Sequence, residues 1–179
     1  MLRRQMFRMS AVIVAMIAAL TTSLLASSVD GFAATRPSVS SVSPVNGDYY
    51  KLVNLSSGWC LYDYKAGYAA GLDNCVQGAT DEKWKWQATS TSGYFKLVNL
   101  SSGRCLDYQN GYAAPDACAQ GSTTQKWRAQ ATSTSGYFKL VNLYLTPQLC
   151  ADGDVVTVYV DPCAQGSNTE KWLFQSASS

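Results

Sequence analysis

Fourteen residues of this chain occur twice without a change: QATSTSGYFKLVNL runs from Gln87 to Leu100 and again from Gln130 to Leu143. An identical segment of that length asks for two equivalent places in the fold, so the chain is read as an internal repeat. A third copy is present. YKLVNLSSGWC from Tyr50 answers FKLVNLSSGRC from Phe95, and the copy starting at Phe138 has LTPQLC where the others have Ser-Ser-Gly, one residue and Cys. The starts at Tyr50, Phe95 and Phe138 lie 45 and 43 residues apart. Each copy closes on an acid or amide followed by Lys and Trp: Glu82-Lys83-Trp84, Gln125-Lys126-Trp127 and Glu170-Lys171-Trp172.

The six cysteines fall in register with the repeat. Six cysteines allow 15 pairings. Equivalent units should carry equivalent bridges, which selects Cys60–Cys75, Cys105–Cys118 and Cys150–Cys163. Each closes a short loop worth roughly 3 kcal/mol in the chain-entropy picture. A zinc-thiolate site would want a C-x-x-C pair or histidines, and the sequence has neither. The absence of histidine also removes Ser-His and Cys-His catalysis. No metal site and no cofactor is expected.

Within a copy the pattern is that of strands. Phe95, Leu97 and Asn99 alternate with Lys96 and Val98, as in a half-buried strand, and Ser101-Ser102-Gly103 is a turn leading into a second strand at Arg104–Asp107. Trp84 and Trp86, Trp127 and Ala129, Trp172 and Phe174 face one way, with Lys85, Arg128 and Leu173 opposite. The three tryptophans of the closing triplets are expected in the core. Three units of about 43 residues with about four short strands each call for a closed all-β solution, since open sheets leave edges exposed.

Ahead of the repeat, residues 1–10 are basic and Ala11–Leu25 is apolar, broken only by Thr21, Thr22 and Ser23. That pattern predicts a secretory signal over 1–28, cut after Ser28 or alternatively after Ala33, with no stable membrane insertion afterwards. A Ser/Pro/Val-rich linker is expected over 29–47, with one domain over 48–179. Cleavage removes Arg3, Arg4 and Arg8 and leaves 11 basic against 12 acidic groups. A near-neutral chain of this kind is not a nucleic-acid binder.

Three copies, an intra-repeat cysteine pair and a closing Q-x-W-like triplet resemble the ricin B-chain type of lectin and the similar family 13 carbohydrate-binding modules. The resemblance implies a β-trefoil with pseudo-threefold symmetry, a six-stranded barrel closed at one end by three hairpins. It also implies non-catalytic binding of galactose- or xylose-type sugars in shallow pockets, up to one per repeat. A sugar has an apolar C–H face and a rim of hydroxyls, so it wants an aromatic plane beneath and acceptors at the edge. The resemblance places the acid at Asp107 and Asp152, two residues after Cys105 and Cys150. In the first copy that place is Tyr62, and Asp63 is taken as the displaced equivalent, because Asp63-Tyr64 and Gly67-Tyr68-Ala69-Ala70 mirror Asp107-Tyr108 and Gly111-Tyr112-Ala113-Ala114. The aromatic candidates are Tyr68, Tyr112 and Tyr159, and Gln125 is the surviving glutamine of the triplet, although Gln125, Glu82 and Glu170 are equally placed to satisfy backbone groups near the tryptophans. The family's stacking aromatic is replaced by Asp73, Asp116 and Asp161, and its rim Asn by Asp81, Thr124 and Thr169.

The second copy retains most of this set, so the copies rank second, third, first. Asn54 and Asn99 stand in Asn-Leu-Ser sequons, but Asn142 holds the same place without one, which predicts a structural role. The expected function is that of a secreted lectin-like protein whose partner is a glycan or polysaccharide. The alternatives are a protein-recognition trefoil, such as an inhibitor or toxin-targeting subunit, and the binding subunit of a separately encoded glycosidase.

Overall fold

The computed structural model describes residues 43–178. The expected signal segment, 1–28, and the expected linker up to residue 42 lie outside the described residues. Short alternating runs separated by glycine turns give twelve strands among the described residues. The first copy contributes β1 (Tyr49–Asn54), β2 (Cys60–Tyr62), β3 (Gly71–Asp73) and β4 (Trp84–Ala88). The second contributes β5 (Phe95–Asn99), β6 (Cys105–Gln109), β7 (Tyr112–Asp116) and β8 (Trp127–Ala131). The third contributes β9 (Tyr137–Asn142), β10 (Leu149–Asp154), β11 (Thr157–Pro162) and β12 (Trp172–Ala177).

Six of these strands pair in a closed circuit: β1 with β4, β4 with β5, β5 with β8, β8 with β9, β9 with β12, and β12 with β1. Closure leaves these strands no free edge. The other six form the hairpins β2–β3, β6–β7 and β10–β11. The hairpins join one another, with β11 pairing to both β3 and β7 and the Ala70 amide donating to the Ala113 carbonyl at 2.7 Å. This is the arrangement of a β-trefoil. The duplicated segment does the same work twice: Trp86 faces Leu97 across β4–β5 as Ala129 faces Leu140 across β8–β9.

Trp84, Trp127 and Trp172 are fully buried, and each indole N–H donates to a carbonyl of its own hairpin: Leu61 at 3.0 Å, Leu106 at 2.8 Å and Ala151 at 3.0 Å. Each therefore fills the core and ties one hairpin to the barrel. Two residues further along, the copies hold Trp86, Ala129 and Phe174. The centre is packed by one large, one small and one middle-sized side chain, with Trp86 edge-on to Phe174 at 5.3 Å.

Asn54, Asn99 and Asn142 are buried and used at both ends. Their amide groups donate to the carbonyls of Thr169, Asp81 and Thr124, and their oxygens accept from the amides of Ser56, Ser101 and Tyr144. The structural role predicted for this position follows from those bonds. The cysteines pair as Cys60–Cys75, Cys105–Cys118 and Cys150–Cys163, each within one copy.

Candidate functional site

Register across the hairpins fixes which residues are equivalent. Cys60 faces Asp73, Cys105 faces Asp116 and Cys150 faces Asp161. Two steps along, the cross-strand pairs are Tyr62 with Gly71, Asp107 with Ala114, and Asp152 with Tyr159. Paired residues project on the same face and lie side by side, so this is one position in three versions. In the first hairpin the Tyr62 ring lies over Gly71, where an added methyl group would overlap it. The second has a carboxylate and no aromatic. The third alone has both.

Asp152 and Tyr159, with Asp154, Asp161 and Thr169, line a shallow depression of about 430 Å³. Burial pushes the Asp152 carboxyl above the ordinary carboxylate range. A hydrogen bond with Thr169 opposes that shift, and the negative charges of Glu170, Asp161 and Asp154 add to it. The site is an acceptor beside an aromatic ring, with a hydroxyl at its edge.

Asp107 is differently placed. It is only 9% exposed, its Oδ2 accepts from Gln125 Nε2 at 3.1 Å, and its buried Oδ1 has no partner. Gln125, a candidate binding residue by resemblance but also read as a partner for backbone groups near the tryptophans, is 1% exposed and fully engaged in the second way. Its oxygen accepts from the Ala119 amide at 2.9 Å, and its amide group donates to the Ala117 carbonyl at 2.8 Å besides Asp107. The physical reason is the loop after the second cysteine, whose backbone needs a partner in every copy. Glu82 accepts from the Val76 amide and Glu170 from the Ala164 amide, and these acids pair with Lys51 and Lys139 at 2.5 Å. Gln125 is thus a positioning residue for Asp107. An acid in its place, as at Glu170, sets a second negative charge near the carboxylate.

Asp63 is not the structural equivalent of Asp107. Its amide donates to the Asp81 carbonyl as Tyr108 donates to Thr124 and Gly153 to Thr169, so Asp63 stands at the place of Tyr108 and Gly153. Its buried carboxylate is held by Arg104, with Nη2 at 2.6 Å from Oδ1 and Nε at 3.1 Å from Oδ2, and by the Ser102 hydroxyl. A bidentate guanidinium pair of this kind is among the stronger charged contacts. It clamps the second copy's turn to the first copy's hairpin.

The three candidate tyrosines do not sit one per copy. Tyr112 pairs with Tyr159 across β7–β11, their rings 5.1 Å apart, so both belong to one patch where two hairpins meet. Tyr68 is exposed and set edge-on to Tyr64 at 5.9 Å. Asp73 and Asp116 each accept from the next residue's amide at 2.7 Å, a turn role, whereas Asp161 lines the depression beside Asp152. Sequence reasoning missed Asp154, which pairs with Thr157 at the end of the β10–β11 hairpin and lines the depression, at the place Gln109 holds in the second copy. It also missed Tyr144, whose ring lies 5.6 Å from Tyr108. The one signal for Tyr144 was the irregular LTPQLC insertion beside it.

A closed six-strand barrel with three joined hairpins, disulfides inside each copy and a polar depression on a hairpin face defines a trefoil binding domain. The family described as ricin-type beta-trefoil lectin domain-like matches residues 39–122 and, in an overlapping alignment, 80–154. The chain belongs to that family, whose lectin-like fold points to carbohydrate binding in general. No curated protein matches the chain in sequence. Among solved structures it is similar to a designed threefold-symmetric protein, ThreeFoil, at 24% identity over 72% of this chain and 99% of that one, TM-score 0.61. It is similar to SeviL, solved bound to asialo-GM1 saccharide, at 16% identity over 74% and 100%, TM-score 0.62. It also resembles a GlcNAcα1-4Gal-releasing endo-β-galactosidase from Clostridium perfringens at 18% identity, covering 73% of this chain but 33% of the enzyme, TM-score 0.65. At these identities the likeness is one of fold.

Proposed function

We propose that the protein is a secreted, non-catalytic lectin-like domain whose leading sugar site is on the third hairpin, taking galactose- or xylose-type glycans. The observation that carries this reading is the Asp152–Tyr159 cross-strand pair, the one of three equivalent positions that offers an acceptor and an aromatic face together. In this reading Tyr159 stacks under the C–H face of a sugar ring, Asp152 accepts from two adjacent hydroxyls, and Thr169 completes the edge. It puts the third copy ahead of the second. Asp107 is sunk beneath the surface, and the tyrosine of its own hairpin, Tyr112, is turned toward Tyr159. One stacking face with two or three hydrogen bonds supplies about 4–8 kcal/mol, a millimolar to micromolar site.

Three disulfides and the basic-apolar N-terminal pattern support export to an oxidising compartment. A glycan array probed with the oxidised domain is expected to return galactosides or xylosides. Asp152→Asn is expected to weaken that binding at least tenfold with the fold intact. Binding that survives Asp152→Asn unchanged overturns the assignment, and an array with no glycan signal favours the protein-recognition reading.

A further inference from the structure

We propose that the hairpins also carry a subsite built between repeats, and that it continues the third-hairpin site into a track for an extended, neutral polysaccharide chain; this rests on the sugar-site reading of Asp152 and Tyr159. Where the first and second hairpins meet there is a second depression, of about 340 Å³, lined by Tyr68, Gln109, Asn110 and Tyr112 and by no charged side chain. Tyr68 is 54% and Tyr112 41% exposed, a large aromatic area that the core does not use.

The amides beside these rings are held in place. Gln109 and Tyr112 close a two-residue Asn110-Gly111 turn, with φ of 49° and 89°, the left-handed geometry that such hairpins favour. Gln109 Nε2 donates to Asp116 Oδ2 at 2.7 Å, which fixes the amide and leaves its oxygen available.

The depression adjoins two others through touching or shared side chains. The Tyr112 ring packs at a tilt of 38° against that of Tyr159, which lines the Asp152 depression. Gln109 and Asn110 also border a third depression, of about 550 Å³, walled by Tyr108 and Tyr144. Aromatic faces interleaved with amide edges suit a chain of sugar rings, each with a C–H face and a hydroxyl rim. A single terminal sugar would occupy one depression and leave two unused.

The charges select against acidic chains. Asp152, Asp154 and Asp161 crowd one end of the track, and a uronate, sulfate or phosphate there would meet carboxylates. The Lys65 ammonium, 5.3 Å from the centroid of the Tyr68 ring, is one cation against those three carboxylates. The occupant is therefore a neutral polysaccharide.

Calorimetric titration of the full oxidised domain with β-1,4-xylo- and β-1,4-galacto-oligosaccharides, from disaccharide to octasaccharide, tests this. Affinity is expected to rise on the order of tenfold or more with chain length, as linked subsites engage together. Tyr68→Ala, an exposed change, is expected to bring the octasaccharide down to the disaccharide's affinity, while Asp152→Asn weakens short and long chains alike. Length-independent affinity, or an octasaccharide bound by Tyr68→Ala as tightly as by the unaltered protein, overturns the track and leaves the single-site reading standing. Full binding by Asp152→Asn overturns the site itself, and a protein that binds neither series overturns both. Polygalacturonate bound more tightly than the neutral chains overturns the charge argument and the neutral occupant with it.

Discussion

In the barrel, the segment Gln87–Leu100 recurs unchanged as Gln130–Leu143 and makes the same pairing twice, Gln87 opposite Lys96 and Gln130 opposite Lys139. In the hairpins, one cross-strand position reads Tyr62–Gly71, Asp107–Ala114 and Asp152–Tyr159. The barrel must close on itself around three buried tryptophans, so each copy meets the same steric demand. The hairpin faces meet solvent and one another, and no closure condition binds them. Apart from the Trp86, Ala129 and Phe174 layer, where unequal side chains fill one centre, internal sameness marks what holds the molecule together, and difference on the hairpin faces marks where a ligand can be told apart from water.

The barrel should respond most strongly to loss of one of its buried tryptophans. Trp127→Ala removes a fully buried indole and its hydrogen bond to Leu106, and is expected to cost about 3–5 kcal/mol in urea denaturation. A loss near zero would mean that the barrel is no more constrained than the hairpins. Next in size is the Cys105→Ala/Cys118→Ala pair, which opens a bridge spanning 13 residues. It is expected to cost about 2–4 kcal/mol. Because that bridge holds the ends of one hairpin together, hydrogen exchange should quicken in β6–β7 before it quickens in β4–β5.

The parts legible in the sequence are those repeated in it. The tryptophan core, the cysteine pairs, the four strands per copy and the buried asparagines all follow from register along the chain. The site was less legible, because it depends on register across strands and between copies. Asp63 resembled Asp107 through its Asp-Tyr neighbours, yet the first hairpin places Tyr62 opposite Gly71 and gives Asp63 to Arg104. Gln125 was a ligand candidate only through the resemblance; its own chemistry beside the tryptophan pointed to the backbone, and the loop after Cys118 takes its hydrogen bonds. The contact of Tyr112 with Tyr159 joins two copies, and no spacing within one copy foretells it.

The smallest stability effect belongs to the residue with the largest expected binding effect. The Asp152 carboxyl sits above its ordinary range in the folded protein because burial and neighbouring carboxylates disfavour its charge. The folded state therefore holds that proton to higher pH than the unfolded chain does. The stabilisation this gives is full below the ordinary carboxylate value and is lost as pH rises through the raised one. At neutral pH the ionised group is a small burden on the fold, kept where it can accept from a ligand. Asp152→Asn should then leave the melting temperature unchanged in acid and raise it slightly at neutral pH, while sugar binding at neutral pH is weakened at least tenfold. In the unaltered protein, affinity should fall as pH drops through the raised range, since a protonated carboxyl accepts less well. Melting curves and titrations across that range read both effects on one sample. A melting temperature lowered by Asp152→Asn at neutral pH would show that the carboxylate holds the third hairpin together, and would return Asp152 to the structural side of the comparison.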